Sequence, residues 1–228
     1  MISLELQAIF RRLVERLMQP LVRSGITPNM VTIVGLLVSG VTALVLAGGH
    51  FLGGGLLVLF SGAFDMLDGG LARARGGGSK FGAFFDSTLD RLSEGLIYLG
   101  LLYWFTATQR PKSAVLIYLV ILGSLLISYS RARAEGLGLE CKVGLLARPE
   151  RVILLGVALL IDGAGIGSLP QDQILVVVLA GLAILTFFTL AQRIWYIWRL
   201  TLPVVSSQEG GAVAMFLARR DARRARHS

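Results

Sequence analysis

Apolar stretches of about twenty residues follow one another along nearly the whole 228-residue chain. A run of that length is what a helix needs to cross a hydrocarbon layer of about 30 Å. Six are legible, over residues 30–49, 51–71, 82–106, 113–131, 150–168 and 173–199. Segments such as AVLIYLVILGSLLIS (114–128) show no polar face at the helical period, and a water-soluble bundle would require one. The 54% apolar and 16% charged residues, with a mean hydropathy of +0.72, lie outside the range of ordinary soluble domains. The expectation is an all-α integral membrane protein with six transmembrane helices.

Three parts follow from the pattern. In residues 1–25, Leu4, Leu6, Ile9, Phe10, Leu13, Leu17 and Met18 stand at helical spacing opposite Arg11, Arg12 and Arg16. That pattern suits an amphipathic helix lying in the membrane interface or packed on its own protein, and its charges interrupt any signal-peptide core. Residues 26–205 form the membrane domain, and 206–228 a basic tail. If the spans alternate, 20 of the 22 Lys and Arg fall on one side, and only Arg110 and Lys112 on the other. This bias predicts a multi-pass protein of the cell membrane with both termini cytoplasmic. A basic face against anionic membrane lipids accounts for the net charge of +8, so no nucleic-acid partner is expected. The single cysteine, Cys141, excludes an internal disulfide.

Against this apolar background, SGAFDMLDGGLARARGGGSKFGAFFDSTLD (61–90) carries Asp65, Asp68, Asp86 and Asp90. Spacings of three and four put each pair on one helix face, and the Gly-rich turn between them folds the two helix ends together. Two unit charges about 4 Å apart repel by about 4 kcal/mol at an effective dielectric near 20. Four carboxylates at one depth therefore need protons or cations. Oxygen ligands without His or Cys suit hard cations such as Mg²⁺, Mn²⁺ or Ca²⁺, and four carboxylates balance two divalent ions. Helix capping, or pairing with Arg73, Arg75, Lys80 and Arg91, would account for one or two of the four; intramembrane acids are costly and usually functional. Gly69 and Gly82 leave room for a close ligand, and with Arg73 they suit a metal-bridged diphosphate.

The pattern D-x2-D-G-x2-A-R-x8-G-x3-D-x3-D is filled by Asp65, Asp68, Gly69, Ala72, Arg73, Gly82, Asp86 and Asp90. It resembles the signature of the CDP-alcohol phosphotransferases, integral membrane enzymes of phospholipid synthesis, and six spans with an N-terminal interfacial helix suit that family too. The resemblance implies two Mg²⁺ ions, with Mn²⁺ as the alternative, held by Asp65, Asp68, Asp86 and Asp90. It implies that Asp90 is also the general base, and that Gly69, Ala72, Arg73 and Gly82 line the pocket of CDP-diacylglycerol, with Ser79 near its phosphate or ribose. TPNMVT (27–32) is similar to the family's entry into its first span, placing Asn29, Met30, Val31 and Thr32 against the nucleotide. Capping by Thr27 before Pro28 is the other reading of that stretch. A homodimer is expected from the family alone.

The acceptor alcohol is written in SYSRARAEGLGLECKVGLLARPER (128–151), which gathers Arg131, Arg133, Lys142, Arg148 and Arg151 at the cytoplasmic helix ends, where Arg193 can join them. Guanidinium binds phosphate bidentately, so the cluster suits a phosphorylated polyol; the positive-inside bias would also place arginines here. This stretch, with ARARGGGSKFGAFFDSTLDR, is similar to the bacterial members of the family that join CDP-diacylglycerol to inositol 1-phosphate. The similarity assigns the acceptor phosphate to Arg131, Arg148 or Arg151, and Arg193, although Lys often stands where this chain has Arg131. Glycerol 3-phosphate is the alternative acceptor. A cation transporter is the competing class, but its sites lie near the midplane, often in inverted repeats. Here the acids sit at one edge of the spans and no repeat is visible.

Overall fold

The computed structural model describes residues 27–74, 79–165 and 172–202, with side chains over 27–62, 79–165 and 172–202. The expected interfacial helix of 1–25 and the basic tail of 206–228 lie outside the described residues. Six α-helices follow in order: α1 (Pro28–Ala47), α2 (Phe51–Ala74), α3 (Lys80–Ala107), α4 (Pro111–Gly136), α5 (Arg148–Gly163) and α6 (Gln173–Thr201). Helices stand at all six positions read from the sequence. By length and apolar composition three of them, α1, α4 and α6, suffice to cross a membrane, and α2 carries a shorter apolar stretch, Phe51–Gly62. Helix α3 is long enough at 28 residues, but Asp86, Asp90, Arg91 and Glu94 interrupt its apolar character. Helix α5 is shorter than the expected 150–168. It starts at Arg148, with Pro149 in its first turn, and ends after 16 residues at Gly163, with Gly165 beyond it at φ +62°.

Local chemistry sets the helix starts. Thr27 stays extended and accepts the N–H of Met30 at 3.3 Å, with Pro28 in the first turn, a position that needs no donor. Ser79 does the same for α3, accepting the N–H of Gly82 at 2.9 Å.

The helices close into a ring: α1 packs on α2 and α3, α3 on α4, α4 on α6, α6 on α5, and α5 back on α2. Tyr98, Leu101 and Phe105 of α3 are buried with Leu46, Phe51, Ile117, Leu159 and Leu179 from the other five helices. Outside the ring, Leu44, Val177 and Ile184 are 75%, 70% and 70% exposed, an apolar surface that lipid would cover.

Glycines let the backbones touch, as in membrane bundles, where close van der Waals packing replaces the hydrophobic drive. A Cβ on Gly100 of α3 would lie 2.3 Å from the Ala43 carbonyl oxygen of α1, and one on Gly163 of α5 would lie 2.1 Å from the Leu52 amide of α2. Gly100→Leu is therefore expected to lower the thermal midpoint in detergent by roughly 5–10 °C, since backbone must move to admit it. Gly181→Leu, where a Cβ meets nothing within 4 Å, is the control expected to leave the midpoint unchanged.

Candidate active site

Asp86 and Asp90 lie one turn apart in the first half of α3, both partly buried. Asp65 and Asp68 fall on the helical backbone of α2, four and seven residues past Ser61; their side chains, with those of Gly69, Ala72 and Arg73, lie outside the described residues. Among the described residues no three His, Cys, Asp or Glu side chains form a metal-binding group, since the α2 half of the expected set is not included. The half that is described is all carboxylate. Those oxygen donors fit a hard divalent cation, so Asp86 and Asp90 are its candidate holders.

Asp90 faces α5. Its Oδ1 meets Arg148 Nη1 at 2.7 Å, while Arg148 Nη2 donates to the Asp90 backbone carbonyl at 3.2 Å. About a fifth of each side chain is exposed, so the pair is reachable from solvent. Arg91 is a more distant neighbour, at 3.9 Å from Asp90 Oδ2.

One turn deeper the pairing repeats. Arg151 Nε meets Glu94 Oε1 at 2.9 Å and Arg151 Nη2 meets Oε2 at 3.0 Å, a side-on fork. The same Nη2 donates to Ser124 Oγ of α4 at 2.9 Å. These side chains are only 3% and 10% exposed, so each charge depends on the other.

Arg193 of α6 is buried. It donates through Nε to the Val143 carbonyl at 2.9 Å and through Nη1 to the Ile127 carbonyl, pinning the α4–α5 loop to α6. Gly144 follows at φ +143°, where a Cβ would meet Thr189 at 2.8 Å. Arg131 is exposed and pairs with Glu135 at 2.9 Å. The four arginines thus form two groups: Arg148 at the base, and Arg131, Arg151 and Arg193 around the end of α4.

The residues expected at the nucleotide are brought together in part. At the adjoining N-termini of α1 and α3, a Cβ on Gly82 would lie 3.2 Å from Ser79 Oγ and 3.5 Å from Asn29 Oδ1. Asn29, Ser79 and Gly82 therefore share one corner. Val31 and Thr32 are buried, Thr32 donating to the Pro28 carbonyl at 3.1 Å, whereas Met30 is exposed. Thr27 and Ser79 both cap helices at this corner.

Two participants were missed in the sequence. Glu94 stands four residues after Asp90 and so continues the face of a residue already singled out, while its partner Arg151 was among the expected acceptor residues. That spacing was the available signal. Ser124, amid an apolar span, gave none.

In the ring of six helices, α3 carries Asp86 and Asp90, and α5 sets Arg148 and Arg151 against its acidic face. Residues 25–202 match the CDP-alcohol phosphatidyltransferase family, and the chain belongs to that family of transferases. It is similar to the phosphatidylinositol phosphate synthase of Mycobacterium tuberculosis, 39% identical over 197 residues, covering 84% of this chain and 88% of that one. The crystal structure of the M. tuberculosis enzyme with CDP-DAG bound superposes with a TM-score of 0.74 at 35% identity, covering 82% of this chain and 94% of that chain. Its complex with manganese and citrate gives 0.73 at 36% identity, with 81% and 88% covered.

Proposed function

We propose that this enzyme transfers the phosphatidyl group of CDP-diacylglycerol to inositol 1-phosphate and releases CMP. The observation that carries the acceptor side is the Arg148–Asp90 contact at 2.7 Å. An acceptor phosphate held on the Arg148 guanidinium has its own hydroxyls within a few ångströms of the only base that the site needs. The family, and the activity in the name of the relative described above, point the same way.

The chain's own residues have the following roles. Asn29, Gly69, Ala72, Arg73, Ser79 and Gly82, with the backbone of Met30, Val31 and Thr32, hold the cytidine diphosphate. Two helix N-termini at this corner offer amide N–H groups and positive dipole ends to its phosphates. Arg148 takes the acceptor phosphate beside the base, and Arg131, Arg151 and Arg193 supply positive charge around it from the end of α4. Asp90 accepts the proton of the acceptor hydroxyl as its oxygen forms a bond to the lipid-side phosphorus. The bond from that phosphorus to the CMP oxygen breaks, and CMP carries the electron pair away. Asp65, Asp68, Asp86 and Asp90 would hold two Mg²⁺ or Mn²⁺ ions, whose charge would stabilise the diphosphate oxygens; manganese in the relative's structure supports a divalent cation. All six helices cross the membrane in this reading, with the segment 1–25 in the interface and both termini cytoplasmic. Trp195 and Trp198, exposed near the end of α6, with Arg199 over Trp195 at 4.7 Å, suit an interfacial belt there. The assembly is a homodimer.

Arg148→Ala tests the acceptor pocket. Charge-assisted hydrogen bonds contribute roughly 1.5–3 kcal/mol each, so the KM for inositol 1-phosphate is expected to rise about tenfold to a hundredfold. The KM for CDP-diacylglycerol should stay within about twofold. An unchanged acceptor KM would remove Arg148 from the pocket.

A further inference from the structure

We infer that Glu94 is a positioning residue of the acceptor site, acting through Arg151. Helices α3 and α5 are joined by two rungs one turn apart, Asp90 to Arg148 and Glu94 to Arg151. The outer rung is partly open to solvent and holds the base. The inner one is closed, and its carboxylate takes the Nε and Nη2 edge of Arg151 while Ser124 takes the second hydrogen of Nη2. Nη1 remains, and among the described contacts it meets only the Leu146 carbonyl, at the long distance of 3.5 Å. Glu94 thus fixes the orientation of Arg151 and leaves Nη1 as its least engaged nitrogen.

It also keeps two cations from competing for one base. Arg151 without its partner would be a buried cation, and such a charge seeks the nearest carboxylate. Asp90 lies one turn from Glu94 on the same face of α3. Glu94 therefore holds Arg151 away from Asp90 and leaves Arg148 as the cation beside the base. It lines the cleft between α2, α3 and α5 together with Ser61, Tyr98 and Arg148, directly beneath the outer rung. A carboxylate is suited to this because its two oxygens match the guanidinium fork in plane and in charge.

The inference rests on the proposed acceptor pocket, so its test separates the two. Purified wild type, Glu94→Gln, Arg151→Lys and the double variant are assayed for CMP release against inositol 1-phosphate and glycerol 3-phosphate. The ratio between the two acceptors for wild type judges the proposed substrate. The ratio of variant to wild type, on whichever acceptor is better, judges Glu94. Glu94→Gln is expected to raise the acceptor KM by about tenfold with the CDP-diacylglycerol KM within about twofold, since it loses one charged partner of the fork. In the double variant the two effects should fall short of adding, because Glu94 acts through Arg151. Equal changes in both KM values, or additive effects, would make Glu94 a merely structural residue and overturn the inference. Should Glu94→Gln fail to fold, Ser124→Ala removes only one hydrogen bond to Arg151. An acceptor KM raised about threefold is then expected, and an unchanged one overturns the inference.

Discussion

Replacing Asp90 by Asn is expected to remove turnover while leaving CDP-diacylglycerol binding largely intact. The amide is nearly the same size and still offers an oxygen to a cation, but it cannot take the proton of the acceptor hydroxyl. General-base catalysis of this kind typically contributes 10²–10⁴-fold, so the rate should fall to about a hundredth or less. The local structure should survive the change. Arg148 Nη2 donates to the Asp90 backbone carbonyl at 3.2 Å, a contact the substitution keeps, while the side-chain pair at 2.7 Å is weakened. Asp65→Asn makes the contrast: as a metal ligand only, it should weaken cation binding, CDP-lipid binding and turnover together. Single-turnover assays beside equilibrium binding of CDP-diacylglycerol separate the two outcomes. An Asp90→Asn enzyme that keeps more than about a tenth of the wild-type rate would exclude the base.

The second large effect is that of chelation. With EDTA, CMP release is expected to fall by roughly a hundredfold or more, the equivalent of the several kcal/mol that metal ions supply to phosphoryl oxygens. Mg²⁺ or Mn²⁺ should restore it. The same cations should raise the thermal midpoint of the purified protein, because a ligand bound only by the folded state stabilises it. Asp86→Asn should reduce that rise. Full activity in chelator, or a midpoint indifferent to both cations, would remove the metal site.

What the sequence made legible was whatever depends on spacing along one helix. The apolar runs placed all six helices, and Thr27-Pro28 marked the start of α1 because a capping oxygen needs only its own next turn; Ser79, read only as a ligand contact, caps α3 in the same way. Asp86 and Asp90 were readable because a spacing of four defines a face in any helix. Partners across helices were not readable. Nothing local says that Arg148 meets Asp90 or that Arg151 lies on Glu94 and Ser124, since these contacts join positions 58, 57 and 27 residues apart. The arginine cluster was therefore read as one group, whereas the fold gives its members different duties. Arg148 stands at the base, Arg151 in a closed rung, and Arg193 on the carbonyls of Ile127 and Val143. Hydropathy also gave α5 too much length: RPER opens the helix, but the glycines at 163 and 165 end it before the apolar run does.

The glycines illustrate the same boundary. Their number was visible, but not their duties. Gly100 and Gly163 are where neighbouring backbones meet, and Gly181 has no such contact. Only packing distinguishes them.

The acceptor alcohol defines the enzyme's reaction. Purified protein in detergent, supplied with CDP-diacylglycerol and Mg²⁺, is to be followed by CMP release with inositol 1-phosphate, free inositol or glycerol 3-phosphate as the sole acceptor. A phosphate held beside Asp90 by Arg148 predicts rapid release with inositol 1-phosphate, little with glycerol 3-phosphate, and none above background with free inositol. Faster release with glycerol 3-phosphate would contradict the inositol reading, and equal release with free inositol would contradict the phosphate pocket itself.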